Sequence, residues 1–342
     1  MSNQAAWLTE AKANPLKIDS APMSKPGKDE VLIEAAAWAI NPVDWKLQDS
    51  GMVLQNYPCI LGSDVAGTVV EVGEGVSHVK PGDRVLGWCL YLATGKTSDA
   101  AFQTHPICRA VAKIPSHVSF AQAAVLPLSI ATASVGLFQK AHLALPYPSK
   151  EPKPTNKLLL VWGGSSSVGS SVIQLARAAG VTVWATASTK RHGYVKEIGA
   201  ERAFDYSQDG VAESIATAIK ESGKEFIGVY DSISEEDTWK CISPIISSVG
   251  TGHVVGVLPP PFPGYPPPDT PNTSHVVATT IITNEPEVGK AVFIDYVGEA
   301  LEAGMLLAKP DPIVVEGGLG SLQEAFTIQK KGVSAAKVVV VA

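Results

Sequence analysis

"LLLVWGGSSSVGSSVIQLARAAG" (residues 158–180) is an apolar run that stops at Gly163, passes through a turn of small residues, and resumes at helical spacing from about Val168. A strand that feeds a helix through such a turn is suited to phosphate, because the first helical amides have no intrahelical partner and point at an anion. Gly163 ends the strand. Gly169 falls on the first helical turn, where close packing of helix on strand requires a missing side chain. Ser166 stands where the usual fingerprint has its central glycine. Serine still lets the backbone approach a pyrophosphate if the turn is slightly wider, and its hydroxyl adds a donor beside the helix amides. Ser165, Ser166, Ser167 and Val168 are therefore candidate pyrophosphate contacts. Turns of this kind are also common as plain structure, so the surroundings have to decide.

The next strand, "VTVWATAS" (residues 181–188), decides it. NAD-binding units place an Asp or Glu about 20 residues after the turn, to accept hydrogen bonds from the ribose hydroxyls. Here the strand runs into Ser188, Thr189, Lys190 and Arg191, with no acid. Two hydroxyls followed by two cations suit a dianionic 2′-phosphate and leave NAD without its acidic partner. The turn thus predicts a dinucleotide, NADP rather than NAD.

Outward from this unit, strand-like and helix-like runs alternate: "GYVKEIGA", "RAFDY", "VAESIATAIKES", "FIGVYDS", "TWKCISPII" and "GHVVGVL". That alternation predicts a parallel sheet with crossover helices. A proline-dense stretch, "PPPFPGYPPPDTP" (residues 259–271), cannot lie in a central strand and reads as an exposed loop. After it come a strand ("HVVATTII"), a helix ("AVFIDYVGEALEAG") and a closing strand ("KVVVVA"). Upstream of residue 156 the chain reads differently. "DEVLIEAAAWAI", "AGTVVEVG" and "DRVLGW" are β-rich runs punctuated by glycine and proline, as in a compact antiparallel, barrel-like unit.

The 342 residues carry a net charge of −6, which leaves no broad basic field for nucleic acid. No apolar run reads as approaching a membrane span, and "MSNQAAWLTEAKANP" lacks a secretory pattern. The expectation is a cytoplasmic protein that binds neither nucleic acid nor membrane. Cys59, Cys89, Cys108 and Cys241 form no C-x-x-C pair and read as scattered thiols.

A β-rich front, "LGSDVAGTVVEVGEGVSHVKPGDRV" (residues 61–85) and a Rossmann half together resemble the medium-chain dehydrogenase/reductase superfamily over nearly the whole chain. The resemblance implies an α/β fold. Residues 1–126, completed by 287–342, would form a GroES-like β-barrel catalytic domain; residues 127–286 would form a doubly wound Rossmann domain. Zinc alcohol dehydrogenases of that superfamily carry an early Cys ligand and a Gly-His-Glu motif. The matching positions here hold "INPVDWK" (residues 40–46) and Gly62-Ser63-Asp64, and the close run of four structural-zinc cysteines is absent. A catalytic zinc wants three protein ligands, and none can be assembled, so no metal is expected.

These departures resemble the zinc-independent branch of quinone oxidoreductases and enoyl reductases, and most closely fungal trans-acting enoyl reductases that partner polyketide synthases. By that resemblance Val43, Asp44, Trp45 and Lys46 lie beside the nicotinamide, with Lys46 the candidate catalytic residue. Ser188, Thr189, Lys190, Arg191 and Tyr206 surround the 2′-phosphate. Val255, Gly256 and Val257 present backbone to the carboxamide, and Val333 and Ser334 close over the cofactor. Asp44 could equally cap a helix, Lys46 reach into solvent, and Tyr206 serve packing.

Reducing an activated alkene puts negative charge on a carbonyl oxygen, which preorganised donors can hold without a metal. The expected activity is NADPH-dependent reduction of a C=C bond in a small enone or enoyl thioester. A quinone reductase and a non-catalytic NADPH-binding protein stay open, as do a polyketide synthase partner and a monomeric or homodimeric state.

Overall fold

In a computed structural model of the chain, residues 2–51, 54, 56–258 and 272–342 are described. The proline-dense stretch 259–271 lies outside them. The chain divides into two compact units, Met1–Leu128 with Phe293–Ala342, and Ser129–Val292.

The front contributes strands β1 (Asn3–Leu8), β2 (Lys17–Ala21), β3 (Val31–Ala39), β4 (Cys59–Ile60), β5 (Asp64–Val72), β6 (Arg84–Trp88), β7 (Ile107–Cys108) and β8 (Ala110–Lys113). The middle contributes β9 (Lys157–Trp162), β10 (Thr182–Thr186), β11 (Arg202–Phe204), β12 (Glu225–Asp231), β13 (His253–Gly256) and β14 (Thr273–His275). The end returns β15 (Asp311–Val315) and β16 (Ala336–Val341). The helices that matter below are α1 (Pro42–Ser50), α2 (Pro127–Phe138), α3 (Ser167–Ala178), α4 (Val211–Glu221), α5 (Glu236–Val249) and α6 (Leu322–Lys330).

In the first unit β15-β16-β3-β5-β6-β8 form one sheet, with β7 on β3, and β2-β1-β4 form a second. Pairing is antiparallel except between β15 and β16. β16 joins from the far end of the sequence because "KVVVV" is apolar enough to lie buried beside β3. Glycines of the front motif answer to close approach at Gly67 and Gly73, and to a positive φ with open space at Gly82. A Cβ on Gly73 would sit 1.7 Å from the Gly27 carbonyl oxygen, so no other residue fits there.

In the second unit the order is β11-β10-β9-β12-β13-β14, every pair parallel. "LLLVW" is apolar at every position because a parallel sheet is covered on both faces. On one face Leu158, Leu160 and Trp162 pack with Ile215 and Ile219 of α4 and Ile242 and Ile246 of α5. Helix α3 packs against β9 and β10. The strand order reverses between β9 and β12, which opens a ligand crevice at their carboxyl ends in folds of this kind.

Three sequence readings need correction. "HVVATTII" is not one strand: pairing with β13 stops at Gly256, so β14 ends at His275 and residues Thr280–Thr283 turn into a short helix. "AVFIDYVGEALEAG" is helical but winds as a π-helix over Lys290–Val297 before α-helix resumes at Gly298–Glu302. One helical stretch, Phe120–Phe138, is after all long and apolar enough to span a bilayer; 78% of its most apolar window is buried inside the protein, as in a core helix.

Candidate functional site

Within the second unit, the candidate residues gather at the carboxyl ends of neighbouring parallel strands. Ser166 is the N-cap of α3, and its hydroxyl accepts the Gly169 amide at 3.0 Å. The hydroxyl proton is left to donate outward. Gly169 cannot be replaced without collision, since a Cβ there would meet the Gly163 oxygen at 2.3 Å. Ser170 donates to the Ser166 carbonyl at 2.7 Å and lies 2.8 Å from the Tyr194 hydroxyl, which stiffens the first turn of the helix. Among the described residues the buried Ser167 Oγ has no hydrogen-bond partner. A buried hydroxyl left unsatisfied at a helix N-terminus, beside amides that the helix itself cannot pair, is what an anion would complete.

At the end of β10, Thr189, Lys190 and Arg191 form a 3-10 turn, with Lys190 exposed and Ser188 and Arg191 half-buried. The turn is held by an acid that the sequence reading passed over. Asp205, just past β11, accepts the Thr189 amide at 2.8 Å and also the Thr189 hydroxyl. Its other oxygen accepts the Ser207 hydroxyl and amide at 2.6 and 2.9 Å. These hydrogen bonds, from Ser207 first and then Thr189, hold the Asp205 carboxyl far below the usual range. Thr189 thus spends its hydroxyl proton on shaping the turn. Tyr206 is 49% exposed and therefore available to a ligand rather than packed away.

At the end of β12, Asp231 is fully buried, with its carboxyl pushed up by burial. It accepts the Ile233 and Ser234 amides and the Thr238 hydroxyl, at 3.1, 3.0 and 2.8 Å. Ser234 in turn accepts the Val257 amide at 2.8 Å, so this turn sets the backbone of Val255, Gly256 and Val257. Asp205, Asp231 and Ser234 were not among the sequence candidates. An Asp followed two or three residues later by Ser at a strand end is a local turn signature that could have marked all three.

Within the first unit, α1 carries Val43, Asp44, Trp45 and Lys46. The helix starts at Pro42 with Asn41 as N-cap, and Asp44 occupies the third position of a capping box, accepting the Asn41 amide at 2.7 Å. The capping alternative for Asp44 is therefore realised, two residues inside the helix rather than at its edge. Asp44 is buried, and burial pushes its carboxyl up to about 8; the Asn41 hydrogen bond opposes this, Asp64 adds to it and Lys337 opposes it. Lys46 is exposed, its ammonium 5.7 Å from the Trp45 ring centroid. Lys330 of α6 approaches the same ring at 5.4 Å and pairs with Asp49. Beside Trp45, α1 and α6 line a cavity of about 420 Å³ with Gln48, Phe326 and Lys331. Val333 is half-buried against the core of this unit, and Ser334 is exposed.

Metal ligation does not fit these residues. Among the described residues no group of three or more His, Cys, Asp or Glu is placed to hold an ion. Ser63 is buried and offers no imidazole, carboxylate or thiolate to a zinc ion, and the carboxylate of Asp64 is committed to Lys337, Asn41 and Leu128.

Comparison with known proteins adds the following. The family of the alcohol dehydrogenase GroES-like domain matches residues 27–132, and that of the zinc-binding dehydrogenase matches residues 167–293. The chain is 40% identical to a trans-enoyl reductase, himH, of Aspergillus japonicus, over 99% of this chain and 97% of that protein. A crystal structure of an alcohol dehydrogenase superfamily protein from Novosphingobium aromaticivorans has a TM-score of 0.77 and 27% identity, covering 99% of both chains. The fold also matches Escherichia coli quinone oxidoreductase complexed with NADPH, at a TM-score of 0.71 and 20% identity over the whole of both chains.

Proposed function

The chain belongs to the medium-chain dehydrogenase/reductase superfamily, oxidoreductases that use a nicotinamide cofactor, and on that premise we propose that it reduces a C=C bond conjugated to a carbonyl at the expense of NADPH, without a metal. The observation that carries the reading is the pair of strand ends in the second unit. A serine-capped helix start with an unsatisfied buried hydroxyl faces phosphate chemistry, and the Lys190–Arg191 turn offers two cations where an NAD site would need an acid. The relatedness to a trans-enoyl reductase favours an enoyl or enone substrate, with a polyketide synthase as the source of the enoyl group.

When bound, a reduced nicotinamide supplies the hydride. The protein's own part is to hold and orient. Ser165, Ser166, Ser167 and Val168 seat the pyrophosphate, while Ser188, Lys190, Arg191 and Tyr206 surround the 2′-phosphate. Val255, Gly256 and Val257 present backbone to the carboxamide, with Val333 and Ser334 closing over it. On α1, Lys46 donates to the carbonyl oxygen as negative charge develops there, and Val43, Asp44 and Trp45 set the face on which it stands. An oxyanion of this kind is stabilised by fixed donors until its α-carbon takes a proton from water to give the saturated carbonyl, whereas an alcohol oxidation would need a route for the hydroxyl proton.

The test is to follow NADPH consumption by the protein with an enone, a quinone and a saturated ketone, beside Lys46→Met. The expected result is enone turnover to the saturated carbonyl, with kcat lowered roughly ten- to a thousandfold in the variant, the scale of losing one oxyanion donor. A rise in KM for NADPH at unchanged kcat would instead assign Lys46 to cofactor binding. Turnover of the saturated ketone alone would defeat the reading, and quinone turnover alone would favour a quinone oxidoreductase. Binding of NADPH without turnover of any of the three would favour a non-catalytic NADPH-binding protein.

A further inference from the structure

Beneath α1 lies a buried ionic cluster to which the reading above assigns no role. Lys337 of β16 and Asp64 of β5 are 3% and 0% exposed, and the lysine Nζ donates to Asp64 Oδ2 at 2.6 Å. The same oxygen accepts the Asn41 side-chain amide at 2.9 Å, and Oδ1 accepts the Leu128 amide at 2.6 Å. Lys337 also donates to the Val125 carbonyl at 3.1 Å. One carboxylate thus joins three places distant in sequence: the N-cap of α1, the start of α2 and the closing strand. The backbone reinforces the join, with the Ile40 amide donating to the Val338 carbonyl at 2.9 Å.

Burying two charges is costly, and a well-packed apolar pair of similar volume often does as well or better for stability alone. What an apolar pair cannot do is fix direction. The Asn41 side chain is oriented by Asp64, and Asn41 both caps α1 and, through its backbone amide, engages Asp44, two residues before Lys46. We propose that Asp64 and Lys337 are positioning residues: their ion pair, acting through Asn41, sets the start of α1 and thereby the placement of Lys46 for the reaction. The proposal rests on the functional reading above for its catalytic consequence, and on geometry alone for its structural one. The charged groups facing Asp44 are Asp64 from β5 and Lys337 from β16, and they act on its proton in opposite senses.

The experiment uses the full chain and the neutral pair Asp64→Asn with Lys337→Met, which avoids leaving one buried charge alone. Hydrogen exchange is measured on the protein without cofactor, and turnover and NADPH affinity are measured well below the unfolding midpoint. Expected is exchange in α1 at least about tenfold faster while β5, β6 and β16 keep their protection, a loss of local structure confined to one element. Expected too is a kcat at least about tenfold lower with NADPH Kd within about twofold, the mark of lost transition-state stabilisation rather than lost binding. In the single variants, the pH dependence of stability should move in opposite directions: the Asp44 carboxyl shifts down in Asp64→Asn and up in Lys337→Met. If Lys337→Met alone fails to fold, the neutral pair and Asp64→Asn still decide. Unchanged exchange in α1, or a kcat within about twofold of the parent, would overturn the proposal. Failure of the parent protein to turn over any enone would overturn the functional reading instead, while exchange in α1 would still decide the positioning role.

Discussion

Lys190 and Arg191 offer the most direct residue-level test of cofactor choice. Lys190 is exposed and Arg191 half-buried on a turn that Asp205 holds in shape through Thr189. Charged hydrogen bonds to a phosphate are worth more than neutral ones, less so where water competes. Replacing both by alanine should weaken NADPH binding by roughly 1.5–3 kcal/mol, about ten- to a hundredfold in Kd, and leave NADH almost unchanged. Titration calorimetry with both nucleotides checks this, and equal affinities in the parent would contradict it. Asp44 gives the second test, with a sign that follows from its burial. Its carboxyl is raised to about 8 in the folded protein and sits near the ordinary value of about 4 when unfolded. The folded state therefore binds the extra proton between these values, so Asp44 lends stability that is full below about pH 4 and is lost as pH rises toward 8. In Asp44→Asn this component should vanish. Urea unfolding at intervals from pH 5 to 8 should show the parent losing on the order of a few kcal/mol relative to the variant. Parallel curves would show Asp44 to be ionised throughout.

At the scale of elements, the N-cap of α3 separates a structural role from a ligand role. Ser166 accepts the Gly169 amide, so Ser166→Ala should cost the protein without cofactor about 1 kcal/mol, and Ser166→Gly only a few tenths. Thermal unfolding of both variants is the measurement; no loss in the alanine variant would remove Ser166 from the cap. How far such elements could be read in advance depended on where their determinants lie. The turn from β9 into α3 was legible because strand, glycines and cap are contiguous, and the basic turn after β10 was legible for the same reason. The anchoring of that turn by Asp205 was not, because the acid arrives on the neighbouring strand. The extent of β14 was set by where its partner β13 stops, which no local pattern in "HVVATTII" records. Lys337 inside an apolar strand carried a visible anomaly, a lone cation in "KVVVVA", but its partner Asp64 lies 273 residues away in sequence.

For the molecule as a whole, two units with separate cores divide the candidate residues. The candidates for the phosphates and the carboxamide lie in one, on the carboxyl ends of a parallel sheet, while α1 with Lys46, and Val333 and Ser334, lie in the other. The central claim is the position to which hydride goes. The measurement that tests it most directly is a single reaction of the protein with NADPH deuterated at the transferable position of the nicotinamide and an unsaturated ketone, with the product read by NMR and mass. The account predicts one deuterium on the β-carbon of a saturated ketone. Deuterium on the carbinol carbon of an allylic alcohol would contradict it.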